Sequence, residues 1–360
     1  MKTIIEKLTS AQQAFSEREE EILRRAGSVI KNGGLVAFPT ETVYGLGGDA
    51  MNPESSRRIY AAKGRPSDNP LIVHICRLED LDEIAEEVPE EALQIAEAFW
   101  PGPLTMILRR SKRVPLETTG GLDTVAVRFP SHPVARQLIA YSGGFVAAPS
   151  ANLSGRPSPT LARYVVEDMD GRIDMILDGG DMGIGLESTI IDLTVMPPQI
   201  LRPGYVTREM LEQVLTKVDI DVTILREDSG QVPRAPGMKY RHYAPKGELV
   251  IVEGQPMQAA TCMNQMAAED SARGERTGII GTEESIGQYR ADLVISLGAR
   301  GDQDAIARNL YTALRRMDEE KITKIYSESF ADQGLGQAIM NRLLKAAGHR
   351  VVKVPCNNEQ

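Results

Sequence analysis

Hydroxyl, amide and charged side chains gather in short clusters along the first two thirds of the sequence. Each cluster lies beside a predicted strand end, where α/β sheets place their ligand crevices. Arginine binds phosphate or carboxylate through two parallel hydrogen bonds, and lysine acts as a point charge beside polyphosphate. A triphosphate therefore suits Lys63, Arg65 and Arg202, whereas Arg128 suits either anion. The clusters are Thr40, Glu41, Thr42 and Tyr44; Lys63, Arg65, Ser67 and Asn69; His74; Thr124 and Arg128; Ser150, Asn152, Ser154, Arg156 and Ser158; Glu187, Ser188 and Thr189; and Arg202.

No standard nucleophile or metal motif accompanies these clusters. The sequence has no GxxxxGK[ST] loop, no HExxH and no GxSxG elbow, and its 4 histidines leave few general bases for a covalent mechanism. Its 3 cysteines are far apart without a CxxC pair, so neither a disulfide framework nor a zinc site is indicated. The clusters favour an enzyme that binds a nucleotide and a small carboxylated substrate, and accelerates the reaction by positioning and charge stabilisation.

Ordinary structural interpretations stand beside this one. Cations after a helix complement its dipole, hydroxyls and amides satisfy backbone groups in turns and caps, histidines on apolar strands pack in cores, and strand-end arginines are solvated. One of these interpretations applies to each of Lys63, Arg65, Thr40, Thr42, Ser150, Asn152, His74 and Arg128.

A glycine-rich stretch at residues 45–50 matches G-x-G-x-x-[GA] literally, with Asp68 further along the chain. A dinucleotide-binding loop joins its strand directly to a helix, however, and here the predicted helix begins only at Pro53. This stretch therefore does not indicate a dinucleotide site. We expect its glycines to turn the backbone away from a crowded pocket.

The elements that position the clusters alternate between strands and helices. Residues 1–225 predict an α/β domain with a twisted mixed sheet, and its first helix follows the capping box Ser16 to Glu19. Residues 226–246 contain three prolines and no hydrophobic period, which predicts a linker. Residues 247–360 predict a smaller Rossmann-like domain with a parallel sheet.

Charge and hydropathy limit the class of protein. The net charge is −9 overall and −9 for residues 1–224, so a broad basic face for nucleic acid is not indicated. No apolar run is long enough to span a bilayer, and the first ten residues do not resemble a signal peptide. We expect a cytoplasmic protein without membrane contact.

Six motifs together resemble the YrdC/YwlC/Sua family of L-threonylcarbamoyladenylate synthases, in its long, two-domain form. They occur in the family's order and at similar spacing. The motifs are PTETVYGLG at 39–47, KGRPSDNPL at 63–71, PSANLSGRPSPT at 149–160, LESTIIDL at 186–193, LRPG at 201–204 and APGMKYRHYAP at 235–245.

The resemblance implies a nucleotidyltransferase that converts L-threonine, bicarbonate and ATP into threonylcarbamoyl-AMP, pyrophosphate and water. Mg²⁺ would accompany ATP, with no metal site on the protein. The product would pass to threonylcarbamoyl transferase proteins that modify tRNA beside the anticodon, so tRNA itself would be bound weakly or indirectly. By motif position, threonine would contact Thr42, His74, Arg128, Ala148 and Ser188; ATP would contact Lys63, Arg65, Asn69, Thr124, Ser150, Asn152, Ser158, Arg202 and Tyr240; and Lys63 and Arg65 would stabilise charge on the phosphates.

The basic linker, with net charge +3 over residues 225–246, resembles the family segment that folds over the active site. We expect it to act as a lid that excludes water from a labile mixed anhydride. Two alternatives come from the same core: an RNA-binding module without catalysis, and a carbamoyl-transfer domain like that of hydrogenase maturation factors. The acidic charge opposes the first, and missing acylphosphatase and zinc-binding segments oppose the second.

Overall fold

A computed structural model describes residues 2–9, 14–221 and 242–355. The chain forms two compact units, Met1–Ser154 with Ser158–Tyr240 and Gly155–Pro157 with Arg241–Gln360. Most of the predicted linker, including the expected ATP contact Tyr240, lies outside the described residues. The lid hypothesis for this linker therefore stays a prediction.

The first unit is built on an 11-stranded mixed sheet in the order β1-β8-β2-β3-β7-β4-β6-β5-β9-β10-β11. Its strands are β1 (Ile4–Lys7), β2 (Val36–Phe38), β3 (Gly45–Asp49), β4 (Ile72–His74), β5 (Leu104–Arg109), β6 (Thr124–Arg128), β7 (Val146–Ala147), β8 (Met175–Asp178), β9 (Thr189–Asp192), β10 (Gln199–Arg202) and β11 (Asp219–Ile220). Its helices are α1 (Glu17–Lys31), α2 (Pro53–Lys63), α3 (Leu81–Ile84), α4 (Glu90–Phe99), α5 (Leu116–Thr119), α6 (Pro133–Tyr141), α7 (Ala162–Met169) and α8 (Arg208–Leu211).

The ends of α1 and α2 follow from local chemistry. Ser16 and Glu19 form the predicted capping box at the start of α1, which satisfies two backbone donors reciprocally. Asn52 caps α2 ahead of the proline at its first position, and Gly64 ends that helix in the left-handed conformation. These caps fix where Lys63 leaves the last turn of α2.

Side chains alternate between the two faces of the central strands. On β6, Val125 and Val127 point into the main hydrophobic core. Ala126, on the opposite face, joins a separate small apolar cluster with residues of β4, β5, β9 and β10. Thr124 and Arg128 share the face of Ala126 because they are two residues away on either side. This second face carries Thr124 and Arg128, and strand pairing places His74 of β4 beside Arg128.

The glycine-rich stretch is a strand and not the turn that the sequence suggested. Residues 45–47 of β3 pair antiparallel with β2. A Cβ atom on Gly47 would lie 2.9 Å from the Phe38 ring and 2.9 Å from the Val146 side chain. Close packing therefore requires glycine at position 47. The prediction that these glycines turn the backbone away from a pocket is wrong. The edge strand β1 was not predicted either.

The second unit has a five-stranded sheet in the order β14-β13-β15-β12-β16, and all of its pairs are parallel. This confirms the predicted Rossmann-like architecture. Its elements are β12 (Glu248–Glu253), α9 (Pro256–Ala272), β13 (Thr277–Gly281), β14 (Leu293–Ser296), α10 (Gln303–Glu319), β15 (Lys324–Glu328), α11 (Leu335–Ala347) and β16 (Val351–Lys353). Across the described part of both units, no helix is long and apolar enough to cross a membrane.

Candidate active site

Strand register aligns a row of residues, most of them polar, across five neighbouring strands. His74 of β4 and Thr105 of β5 both lie opposite Arg128 of β6. Thr105 in turn lies opposite Ile190 of β9, which pairs with Arg202 of β10. The row therefore begins at His74 and ends at Arg202, and Ser188 immediately precedes β9 beside it.

Hydrogen bonds fix the Arg202 end of this row. The Arg202 guanidinium donates from Nε to the Ser188 carbonyl at 3.0 Å and from Nη2 to the Ser188 hydroxyl at 3.2 Å. The Ser188 and Thr105 hydroxyls are 2.7 Å apart, and all three side chains are buried. Arg202 was predicted among the ATP residues, yet its register and its bonds to Ser188 put it in the row with Arg128.

A second group of predicted residues lies toward the opposite end of the central strands. Thr124 begins β6, and four residues of extended chain separate it from Arg128 by about 13 Å. Arg65 and Asn69 precede β4, which runs parallel to β6. The Arg65 guanidinium donates to the Asn69 side-chain oxygen at 2.6 Å and to the Pro70 carbonyl at 3.0 Å. The predicted site is thus long enough for two ligands end to end.

Asn69 has unused hydrogen-bonding capacity at this end. Its side chain is 1% exposed, and its amide nitrogen is a buried donor without a partner among the described residues. A buried donor without a partner is costly, so a ligand acceptor there would be stabilising.

An apolar floor lies beside these polar groups, on the same face of the sheet. Its members are at most 6% exposed and come from five consecutive strands in the sheet order. Such a floor with polar groups at its margins is typical of small-molecule sites. The floor consists of Ile72, Ala126, Ile107, Ile190 and Leu201.

Lys63 holds the neighbouring loop by its side chain. Its ammonium group donates to the Ser150 carbonyl at 2.5 Å and to the Asn152 carbonyl at 2.5 Å. Within the loop, the Ser150 hydroxyl donates to the Asn152 side-chain oxygen at 2.5 Å. Lys63 is only 2% exposed, so it is not the solvated helix-end cation of the ordinary interpretation.

Arg128 and Glu41 form a buried ion pair at the other end of the site. Their side chains are 5% and 14% exposed, and Nη2 of Arg128 is 2.7 Å from Oε1 of Glu41. The contact has the distance of an ion pair without the alignment of a hydrogen bond. As a result, Nε and Nη2 of Arg128 and both carboxylate oxygens of Glu41 have no hydrogen-bond partner within the described residues.

Two histidines flank this ion pair without adding positive charge to it. Burial, reinforced by the charge of Arg128, lowers the pKa of His74 to about 3. Its Nδ1 lies 3.1 Å from the Ile72 carbonyl. Burial also lowers the pKa of His132, against the opposing effect of the Glu41 carboxylate. The Nδ1 atom of His132 is buried and has no partner among the residues described.

The remaining predicted residues are buried and bonded within the first unit. The Thr42 hydroxyl lies 2.9 Å from that of Thr40. The backbone N–H of Ala148 donates to the Ile72 carbonyl at 2.9 Å, which keeps Ala148 beside β4. The Ser158 hydroxyl donates to the Glu187 carboxylate at 2.5 Å.

Sequence reasoning missed Thr105 and His132 at this site, and it named Glu41 without its partner Arg128. Thr105 is the one polar residue in the buried part of β5, which ends at the exposed Arg109, and period-two alternation could have placed it on the face of Ile107. Glu41 lies close to Arg128, and His132 lies close to Glu41. Neighbouring residues in the sequence do not indicate either contact, because both depend on the order of the strands.

Two family models together match most of the chain. The family described as "Telomere recombination" matches residues 28–204, and the one described as "Threonylcarbamoyl-AMP synthase, C-terminal domain" matches residues 206–348. A Threonylcarbamoyl-AMP synthase of Pyrococcus abyssi is 49% identical, with 93% of this chain and 97% of that protein aligned. One of Bacillus subtilis is 47% identical over 92% of this chain and 94% of that protein.

A solved structure resembles both units. The crystal structure of P. abyssi Sua5 complexed with L-threonine superposes with a TM-score of 0.92 at 47% identity, covering 98% of this chain and 100% of that one. The agreement extends to the mixed sheet and to the parallel sheet, so the predicted fold class is confirmed. The chain belongs to the two-domain Sua5 family of threonylcarbamoyl-AMP synthases.

Proposed function

We propose that this chain joins L-threonine, bicarbonate and ATP to form threonylcarbamoyl-AMP, pyrophosphate and water. One observation carries the proposal. A single face of the sheet has buried polar groups around Arg128 toward one end and around Asn69 toward the other, with apolar side chains on the same face. The names of the relatives and the L-threonine in the P. abyssi structure support the choice of substrates.

The reaction needs no nucleophile from the enzyme. The threonine amine attacks the carbon of bicarbonate to give a carbamate and water, and a carbamate oxygen then attacks the α-phosphate of ATP. Pyrophosphate leaves, which makes the second step a nucleotidyl transfer. The protein contributes orientation and charge stabilisation, in agreement with a site built from arginines, hydroxyls and a neutral histidine.

Each end of the site takes one substrate in this proposal. Arg128 binds the threonine carboxylate, and the rest of the amino acid contacts Thr42, His74, Ala148 and Ser188. The nucleotide contacts Arg65, Asn69, Thr124, Ser150, Asn152 and Ser158, with Lys63 holding the loop beside it. Because the carbamate must meet the α-phosphate, one phosphate-binding cation has to reach the threonine end. Arg202, bonded to Ser188, meets that requirement.

Mg²⁺ enters this proposal with the nucleotide. The described residues contain no group of three or more His, Cys, Asp or Glu side chains that could hold a metal ion. Mg²⁺ commonly keeps its waters and binds substrate phosphates, so it needs no such cage.

The destination of the product is also part of the proposal. A threonylcarbamoyl adenylate is a mixed anhydride and must be passed to an acceptor before water reaches it. We assign that step to threonylcarbamoyl transferase proteins acting on tRNA, in the cytoplasm. The net charge of −9 supports weak or indirect contact of this chain with tRNA.

Pyrophosphate release by the purified chain tests the function. The assay contains ATP, Mg²⁺ and bicarbonate with L-threonine, L-serine or no amino acid. Release is expected only with threonine and bicarbonate together, and should fall by at least about 100-fold in Arg65→Ala and Lys63→Ala. The exposed ion-paired Lys217 provides the control variant Lys217→Ala, which should leave the rate unchanged. A folded wild-type chain that releases no pyrophosphate under any condition contradicts the proposal.

A further inference from the structure

The ion pair between Arg128 and Glu41 is incomplete in a specific way. The unpartnered Nε and Nη2 atoms lie on one edge of the guanidinium, the edge that binds a carboxylate through two parallel hydrogen bonds. Glu41 offers two acceptor oxygens, also buried and without hydrogen bonds among the described residues. The pair therefore presents donors for an anion and acceptors for a cation side by side.

An α-amino acid has both complementary groups on adjacent atoms. When its carboxylate binds the guanidinium edge of Arg128, its ammonium lies within a few ångströms of that carboxylate. Glu41 is already 2.7 Å from Nη2 and so lies beside the same edge. We propose that Glu41 recognises the α-ammonium group of threonine and thereby selects a free amino acid over other small carboxylates. This assignment rests on the proposed threonine site.

Charge balance supports this assignment. Without ligand, the buried pair is neutral, and His74 adds no charge because its pKa is lowered to about 3. A zwitterionic amino acid keeps the cluster neutral. A carboxylate without an amine would put two negative groups on the Arg128 guanidinium, and the excess of negative charge around that group is costly. Glu41 therefore acts against amine-free ligands as well as for threonine.

A simpler role for Glu41 would be to occupy Arg128 until any carboxylate displaces it. The two roles differ in the ligand preference that they produce. A placeholder competes equally with all carboxylates, whereas an ammonium-binding group favours only ligands that carry an amine. The contrast between two ligands of the same shape therefore separates the two roles.

The matched ligands are L-threonine and (R)-3-hydroxybutanoate, which is threonine with hydrogen in place of the α-amine. Their dissociation constants are measured by calorimetry for the wild-type chain, Glu41→Gln and the exposed control Glu54→Gln. The wild-type chain and the control should prefer threonine by about 100-fold. The preference of Glu41→Gln should fall by at least about tenfold, because a charge-assisted hydrogen bond is lost.

Two results would overturn the assignment. In the first, Glu41→Gln binds both ligands more tightly, or both more weakly, and the preference for threonine is unchanged. In the second, the wild-type chain binds the two ligands equally. This second result does not depend on whether any variant folds. Pyrophosphate release by the wild-type chain keeps the two proposals separate. Turnover with threonine and an unchanged preference in Glu41→Gln refutes only the role of Glu41, whereas absence of both threonine binding and turnover refutes the proposed function.

Discussion

Removal of Arg128 should destabilise the first unit, because Glu41 would keep its buried carboxylate without a cation. Methionine in Arg128→Met retains much of the arginine stem, so little of the effect comes from lost packing. Breaking a buried ion pair from one side costs about 3–5 kcal/mol. Since the Glu41 side chain is 14% exposed, water can partly rehydrate it, and we expect a loss near the lower limit, about 3 kcal/mol in the free energy of unfolding.

The double variant Arg128→Met/Glu41→Gln isolates the charge term. It removes both charges. We expect its loss in the free energy of unfolding to be smaller, by at least about 2 kcal/mol, than the sum of the losses of Arg128→Met and Glu41→Gln. The exposed pair between Arg57 and Glu117 is the control, and Arg57→Met should leave the free energy of unfolding nearly unchanged because water screens that pair.

Urea unfolding monitored by tryptophan fluorescence measures these changes in the first unit alone. The chain has 1 tryptophan, Trp100, whose indole donates to the Leu104 carbonyl and lies against Phe129, next to Arg128 in the sequence. Additive losses in the double variant would refute the reasoning, because they would mean that the two buried charges do not stabilise each other.

Three further predictions concern the same unit. Gly204→Ala would put a Cβ atom 2.5 Å from the Thr189 backbone nitrogen. We therefore expect the free energy of unfolding, measured in urea, to fall by about 1–3 kcal/mol and threonine binding to weaken. Gly183→Ala is the control for stability, because its Cβ would have no neighbour closer than 4.0 Å. The pKa of His74 is lowered to about 3 in the folded chain, whereas in the unfolded chain it is about 6.5. As the pH falls below about 6.5, the unfolded chain therefore binds a proton on this histidine that the folded chain does not. The free energy of unfolding should drop by roughly 1 kcal/mol per pH unit between pH 6 and pH 4. The slope should flatten in His74→Asn, and an unchanged slope would contradict a neutral His74. Chelation of Mg²⁺ should abolish pyrophosphate release while leaving the calorimetric affinity for threonine within about twofold, since the metal accompanies ATP; a large loss of threonine affinity would place the metal at the amino-acid end.

Local signals predicted much of the first unit. The capping box at Ser16 and the Asn52-Pro53 start of α2 depend on neighbouring residues only, and both occur as expected. The strand β3 escaped prediction because a glycine-rich segment has no apolar alternation. Only the close approach of the Phe38 ring, from the paired strand β2, and of the Val146 side chain, far along the chain, explains it.

The candidate site was predicted residue by residue but not in its arrangement. Strand-end polarity pointed to Arg128 and His74, and the register of β4 with β6 does bring them together. The position of Arg202 beside Ser188 depends on the antiparallel pairing of β9 and β10. Sequence alone does not specify that pairing, so the position of Arg202 beside Ser188 could not be predicted from it.

The pairing of β1 with β8 has a consequence for biosynthesis. Ile4 lies opposite Met175, so the first strand has no partner until the ribosome has added about 170 more residues. At 5–20 residues per second this takes roughly 10–30 s. During that interval Ile4 and Ile5, about half exposed even in the folded chain, remain on an unpaired segment open to other nascent chains. We expect the yield of folded protein to depend on chaperone capacity while the chain is being made, even though the finished sheet is well packed.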